Sequence, residues 1–254
     1  MRTLNGSLRI KDPRNDLLFQ FYRFAEGLRP RVVMLENVPG LADDKKFRLF
    51  LKLMGELGYI GDYRVLNAAD YGVAQRRRRL IYLAGFKIAV PFAQPVSTMK
   101  TVRDAIGRLP KAGKSGDAVH DLNEQRSERV MDLIRRIPRD GGSRTDLPRR
   151  DQLACHKRCN GFKDVYGRMA WDEVAPTITS GCFNPSKGRF VHPEEDRAIT
   201  IREAALLQGF PRRYEFPVVQ SKSALALLIG NALPPPFIRH HAKRIHKILT
   251  EEKA

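Results

Sequence analysis

The sequence predicts an α/β fold: one half of a doubly wound sheet, with a smaller, irregular and strongly basic region set into it. Three observations predict this. Val32-Val33-Met34-Leu35 runs straight into Glu36-Asn37 and then Pro39-Gly40. A short apolar run bounded by turn residues reads as a strand buried on both faces, the habit of a parallel sheet. Around it, helical and strand patterns alternate from Asp12 to Phe86, as in layered α/β folds. After Phe86 the regular pattern gives way to stretches rich in Pro, Gly and Arg, and it returns near Thr200.

Asp12-Pro13-Arg14-Asn15-Asp16 is a turn and helix-start signal, followed by Leu17, Leu18, Phe21, Phe24, Ala25 and Leu28 at helical spacing. Gly27 and Pro30 close that helix, and the strand ending in Glu36 follows. A second helix puts Phe47, Phe50, Leu51, Met54 and Leu57 on one face, with Gly58 past its end. Tyr63–Leu66 is a strand, residues 67–75 a loop, and Leu80–Ala84 a further buried strand. Pro91, Pro95 and Ser97-Thr98 form a linker. Thr101 with Asp104 is a capping box for a short helix ending at Pro110, and residues 123–137 can form a basic helix with Val130, Leu133, Ile134 and Ile137 as its apolar stripe. Thr200 with Glu203 is a second capping box, opening a helix through Gln208. The closing helix, Phe237–Glu252, carries Ile238, Ala242, Ile245, Ile248 and Leu249 on one face, after a break at Pro234-Pro235-Pro236. The domains expected are 1–90, part of a catalytic domain; 91–210, a recognition domain and hinge; and 211–254, returning to the catalytic domain.

Composition narrows the partner. Forty-six Lys and Arg against 28 Asp and Glu leave a net charge of +18 over 254 residues, with a pI near 10.2. Such an excess points to a polyanion, nucleic acid before any other. A membrane surface lacks its usual signal, a long basic amphipathic helix. No apolar run reaches the ~18 residues of a membrane span. Three cysteines, Cys155, Cys159 and Cys182, are too few and of odd number for a disulfide framework, so a reducing, cytoplasmic setting is expected. Cys155-His156-x-x-Cys159 lacks two further ligands at usual spacing, and no metal site is expected. Between Arg135 and Arg158 there are eight basic residues and three acidic ones, with Gly141-Gly142 and Pro148 among them. That composition suits a segment following a phosphate backbone; a solvated basic loop is the alternative.

Glu36 is the first candidate site residue. It closes a buried strand at the carboxyl end, where open α/β sheets bind ligands, and an apolar collar there can raise a carboxyl pKa. An ordinary strand-end Glu capping the next helix is the alternative. In Gln75-x-Arg77-x-Arg79, alternate residues of an extended segment face the same way. Arg79 can then point toward a base and Arg77 toward phosphate or Glu36, whereas four consecutive Arg (Arg76–Arg79) can also be a nonspecific phosphate clamp.

Four segments in order resemble the cytosine-5 DNA methyltransferases of the bacterial modification type. They are Leu35-Glu36-Asn37-Val38, Gln75–Arg79, Arg202-Glu203-Ala204-Ala205-Leu206-Leu207-Gln208-Gly209-Phe210-Pro211, and Gly230-Asn231-Ala232-Leu233-Pro234. The resemblance covers Asp12 to about Ile248. It implies a Rossmann-like methyltransferase sheet with a target-recognition domain between the second and third segments. It also implies a reaction in which a cysteine thiolate adds to carbon 6 of a cytosine flipped out of double-stranded DNA, and carbon 5 takes a methyl from S-adenosylmethionine. In that scheme Glu36, Arg77 and Arg79 are catalytic and Gly230 and Asn231 lie against the cofactor. Gln75, Arg76, Arg78, Arg149, Arg150, Lys157 and Arg158 are the expected DNA contacts. The family's glycine-rich cofactor loop and its Pro-Cys nucleophile have no match in the 254 residues. The expectation is therefore a methyltransferase component, in the bacterial cytoplasm at the nucleoid, completed by a second subunit that carries them. A truncated DNA-binding protein without catalysis is the alternative.

Overall fold

The computed structural model describes residues 16–122, 124–152, 163–217 and 221–251. The chain divides into two compact units, one of residues 1–67, 78–95 and 239–254, the other of 68–77 and 96–238.

In the first unit, α1 (Leu17–Leu28) leads into β1 (Val32–Asn37), followed by α2 (Lys45–Glu56), β2 (Tyr59–Asn67) and β3 (Arg78–Phe86). The Asp44 side chain caps α2 by accepting from the Lys46 N–H at 2.8 Å. Gly58 closes the helix with φ +92°, the left-handed conformation that glycine adopts without strain. Phe47, Phe50 and Met54 of α2 are fully buried against Leu80, Tyr82 and Ala84 of β3, with Leu18 and Ala25 of α1 and Val33 and Leu35 of β1 in the same core. Phe50 meets Tyr82 edge-on, ring centres 5.4 Å apart.

The strand order is β1-β3-β2, and both pairings are antiparallel. The sequence led us to expect parallel pairing behind Glu36; among the described strands there is none. β1 and β2, joined through α2, run the same way. The segment 68–77 contains no α-helix and is too short for a crossover, so β3 returns antiparallel and inserts between them. Continuous burial belongs to β3, whose residues 80–84 are all covered. In β1 burial alternates, with Val33 and Leu35 on the covered face and Val32 and Met34 half-buried on the other.

The second unit contains α3 (Val102–Ile106), α4 (Glu128–Arg136), α5 (Ile201–Leu207), α6 (Lys222–Asn231) and the start of α7 (Pro235–Glu251). Both capping boxes form, Thr101 with Asp104 and Thr200 with Glu203. α4 is shorter than the patterning suggested because Ser127 sets its start; Leu133, Ile134 and Ile137 still face inward. α6 escapes periodicity. Leu225, Ala226 and Ile229 are buried, but Leu227 and Leu228 are exposed apolar residues on the other side, so no stripe stands out. α7 starts inside the proline run, since a first-turn Pro gives up only an N–H with no helical partner.

Arg168, which sequence reading passed over, is completely buried. Its guanidinium donates to the carbonyls of Ile134 and Ile137 at the end of α4 and to those of His192 and Glu195, and it pairs with Asp196. It therefore ties the end of α4 to the 192–196 turn.

Candidate active site

Glu36 and Arg79 meet on one face of the three-stranded sheet. Glu36 lies opposite Ile81 of β3, so these two share a face, and Arg79, two residues before Ile81, shares it too. This diagonal relation lets the long Arg79 side chain bring Nε to 2.9 Å from Glu36 Oε1. Arg79 Nη1 also donates to the Arg78 carbonyl at 2.7 Å, which fixes the guanidinium plane. Burial draws the Arg79 guanidinium below its usual pKa, and the Glu36 charge and hydrogen bond offset only part of that. The result is a half-buried carboxylate and guanidinium side by side at the carboxyl end of β1.

Arg77 does not continue this row. Alternation holds only within a strand, and β3 begins at Arg78. Arg77 belongs to the second unit, is buried, and donates from Nη1 to the Ile178 carbonyl at 3.2 Å and from Nη2 to the Gly230 carbonyl at 2.9 Å. Gln75 is fully buried beside it. The Ile178 N–H donates to Gln75 Oε1 at 2.8 Å, Gln75 Nε2 donates to Gln208 Oε1, and Gln208 Nε2 donates to the carbonyls of Ile229 and Ala232. Expected as a DNA contact, Gln75 has its amide committed inside the protein. Gln208, part of the Arg202–Pro211 segment but not among the expected site residues, is the central member of this knot.

The knot brings Gly230 to the 75–77 segment, and packing gives that glycine a second reason to be one. A Cβ on Gly230 would lie 2.5 Å from the Ser180 nitrogen and 2.5 Å from the Thr179 carbonyl carbon. Neither backbone atom can yield as a side-chain tip could. Gly230→Ala is expected to cost about 2–3 kcal/mol by overpacking, read as a lower urea midpoint with unchanged slope; a midpoint equal to that of the parent would contradict this. Asn231, the next residue, is exposed at the end of α6.

Arg76, Arg78, Arg149 and Arg150 are exposed, the last two in a single 3-10 turn, Arg149–Asp151. Arg76 stands at a cleft of about 300 Å³ in the second unit, with Val102, Met169, Glu173, Pro176 and Arg189 among its walls. Lys157 and Arg158 lie outside the described residues, as do Cys155, His156 and Cys159. Among the described residues no group of side chains could hold a metal ion. Cys182 is fully buried, and burial pushes its thiol up to about 12, so it is neither accessible nor ionised near neutrality.

The described residues do not by themselves fit a nucleoside cofactor. Gly230 is packed shut and its carbonyl is taken by Arg77, which leaves the exposed amide of Asn231 as one hydrogen-bonding group.

The family description of C-5 cytosine-specific DNA methylases matches residues 5–247. The Type II methylase M.HgiDII of Herpetosiphon aurantiacus is 38% identical over 247 residues, covering 92% of this chain and 69% of that protein. The Type II methyltransferase M1.BsuMI of Bacillus subtilis is 36% identical, covering 91% and 55%, and M1.HphI of Haemophilus parahaemolyticus is 31% identical, covering 95% and 63%. The chain thus spans about half to two thirds of the length of these relatives. Among solved structures, a prophage-encoded protein of E. coli described as a DNA modification methyltransferase superposes with a TM-score of 0.70 at 22% identity, over 94% of this chain and 76% of its own, which shows a shared fold. No helix among the described residues is long and apolar enough to cross a membrane. With a family match over residues 5–247, nearly its whole length, this chain belongs to the C-5 cytosine-specific DNA methylase family.

Proposed function

We propose that this chain grips the base and reads the sequence for a DNA (cytosine-5)-methyltransferase, acting on a cytosine turned out of double-stranded DNA. The observation that carries the reading is the 2.9 Å Glu36–Arg79 pair at the carboxyl end of β1. A pyrimidine ring is a poor electrophile at carbon 6 and must be polarised as sulfur attacks. Glu36 would hold ring nitrogen 3 and Arg79 the neighbouring exocyclic oxygen, so that two fixed groups stabilise charge that develops in the transition state. Unstacking the base lets both groups reach its edge. Arg77 acts through Gly230 and Ile178 as a positioning residue. Arg76, Arg78, Arg149, Arg150, Lys157 and Arg158 supply cations for the phosphate backbone.

S-adenosylmethionine is the methyl source in this reading. Most of its site, and the attacking thiolate, come from outside the described residues, on a second polypeptide or a further segment of the same one. Asn231 is the residue of this chain that would border the cofactor. The relatives' type II names favour a modification role beside a restriction enzyme.

The test is transfer of labelled methyl groups to duplex DNA by the purified chain, alone and with a polypeptide made of the M.HgiDII residues outside the matched stretch. Label is expected in DNA only in the mixture. Transfer by the chain alone would overturn the division of labour. Salt-dependent DNA binding without transfer in any mixture would favour the second reading, a non-catalytic DNA-binding protein, for which the +18 charge alone speaks.

A further inference from the structure

The outward side of α7 is dominated by positive charge. Eight of its 17 residues are exposed; four of these are Arg239, Lys243, Arg244 and Lys247, and a fifth is His246. At 3.6 residues per turn, Arg239, Lys243 and Lys247 form a row along one side with Arg244 beside it, and at 1.5 Å per residue the row is about 12 Å long. The opposite side turns inward: Phe237 and His241 are buried, and Ile245, Ile248 and Leu249 are half-buried. All four Lys and Arg belong to the first unit.

A solvated helix can balance such a row with acids of its own. In α4, Arg135 and Arg136 pair with Glu128 and Asp132 of the same helix. α7 has one acid, Glu251 in its last turn, and Lys247 reaches it at 3.5 Å. Among the described residues Arg239, Lys243 and Arg244 have no ion-pair partner. Arg239 with Lys243, and Lys243 with Lys247, are like-charge neighbours four residues apart, which weaken a helix. The helix dipole favours cations toward the C-terminus, which suits Lys247 but not Arg239 in the second turn. An anion held along the row would remove the repulsion.

The chemistry of the face says which anion. A bilayer surface is gripped by cations with apolar residues beside them. The apolar side of α7 is packed inward, and its exposed uncharged residues, Ala242 and Thr250, offer no large apolar group. This chain belongs to a family of DNA methylases, so duplex DNA is the polyanion it meets. A duplex carries one phosphate charge per about 1.7 Å of axis, dense enough to meet every cation of the row.

We infer that the Arg239–Lys243–Arg244–Lys247 face of α7 binds the phosphate backbone of duplex DNA, as a sequence-independent contact separate from the 149–158 segment and the Arg76–Arg78 run. Its premise is the family membership, not the proposed catalysis. Such a contact adds affinity without selectivity and keeps the chain on DNA while other residues read the bases.

The experiment titrates the full chain onto a short labelled duplex and reads anisotropy between about 50 and 200 mM KCl. Arg239→Gln, Lys243→Gln and Arg244→Gln together are expected to lower the slope of log K against log salt by about 2–3. Binding should weaken by roughly tenfold or more, to the same extent for two duplexes of unrelated sequence. Lys45→Gln, Arg48→Gln and Lys52→Gln, on exposed positions of α2, remove the same charge and should change the slope by less than about 1. Gln is a good helix former, so both triple variants should keep the parent's circular dichroism and unfolding midpoint. If the α7 triple variant does not fold, Lys243→Glu alone gives the answer, with a slope lower by about 1. An unchanged slope in the α7 variants would overturn the inference, and so would an equal fall in the two triple variants, which would reduce the effect to net charge. An unchanged slope with lost binding to phosphatidylglycerol vesicles or to polyglutamate would assign the face to a membrane or an acidic protein instead. Binding is read on the chain alone, so the result does not depend on methyl transfer.

Discussion

Glu203→Gln is expected to lower stability by about 3 kcal/mol, the lower end of what breaking a buried ion pair costs. Glu203 is 1% exposed and accepts from Arg197 Nη1 and Nη2, both at 2.8 Å, while also taking the Thr200 N–H at 2.7 Å as the capping-box carboxylate. Gln can keep the cap but not the charge, so Arg197 would be left with Glu195 as its remaining ionic partner. Burial alone would raise the Glu203 pKa; the Arg197 hydrogen bonds and charge more than reverse it and hold the group below its usual 4.5. A carboxylate depressed on folding stabilises the fold above its unfolded pKa and loses that contribution as pH falls through the folded value. His192, 3.8 Å from Glu203, is also held below its usual 6.5, chiefly by burial. Its unfolded form takes up a proton first, so its contribution too declines as pH falls, beginning near 6.5. Chemical unfolding as a function of pH should therefore show stability dropping below about 6.5 and again below about 4.5. Glu203→Gln should flatten the lower limb. A parent chain equally stable at pH 4 and pH 7 would contradict this account.

The second large effect is on chemistry. In the reconstituted enzyme, Glu36→Gln or Arg79→Met should each cut methyl transfer by about 10²–10³-fold, the usual cost of removing one preorganised group from a site of developing charge. Folding should lose little, because Glu36 and Arg79 still keep 31% and 17% of their side-chain surface in water, which screens the pair; such a pair contributes about 1 kcal/mol. DNA affinity should stay within about twofold, since neither group is asked to hold the backbone. The double variant is the sharper measurement. Groups acting as one unit are non-additive, so the double loss should be close to either single loss. Losses that multiply would mean that the two side chains act separately, and the 2.9 Å contact would be structural.

Much of this arrangement was legible in the sequence because it is local. Both capping boxes, the Gly58 stop and the inward faces of α2 and α4 follow from neighbours within a turn or two. The Glu36–Arg79 relation was within reach, because alternation along β3 puts Arg79 on a definite face. What could not be read is non-local. The VVML run carried no information on which strand would lie beside it, and the short 68–77 connection decided that. Arg77 fell out of the row because the strand starts one residue later, and its carbonyl partners come from 101 and 153 positions away. α6 hid because an apolar helix with Leu227 and Leu228 outside has no polar side to mark its period.

The amides of Gln75 and Gln208 have a directional consequence. Ile178 N–H, Gln75, Gln208 and the carbonyls of Ile229 and Ala232 form a head-to-tail sequence of donor and acceptor across residues 133 apart. Reversing either amide would set nitrogen against nitrogen or oxygen against oxygen, and an acid at either position could supply only one of its two ends. The last turn of α6 therefore cannot slide along its axis without stranding several buried groups at once. Where Asn231 sits is thus decided in part by a residue 156 positions earlier in the chain, and a designer who wished to move it would have to rewrite two glutamines as well.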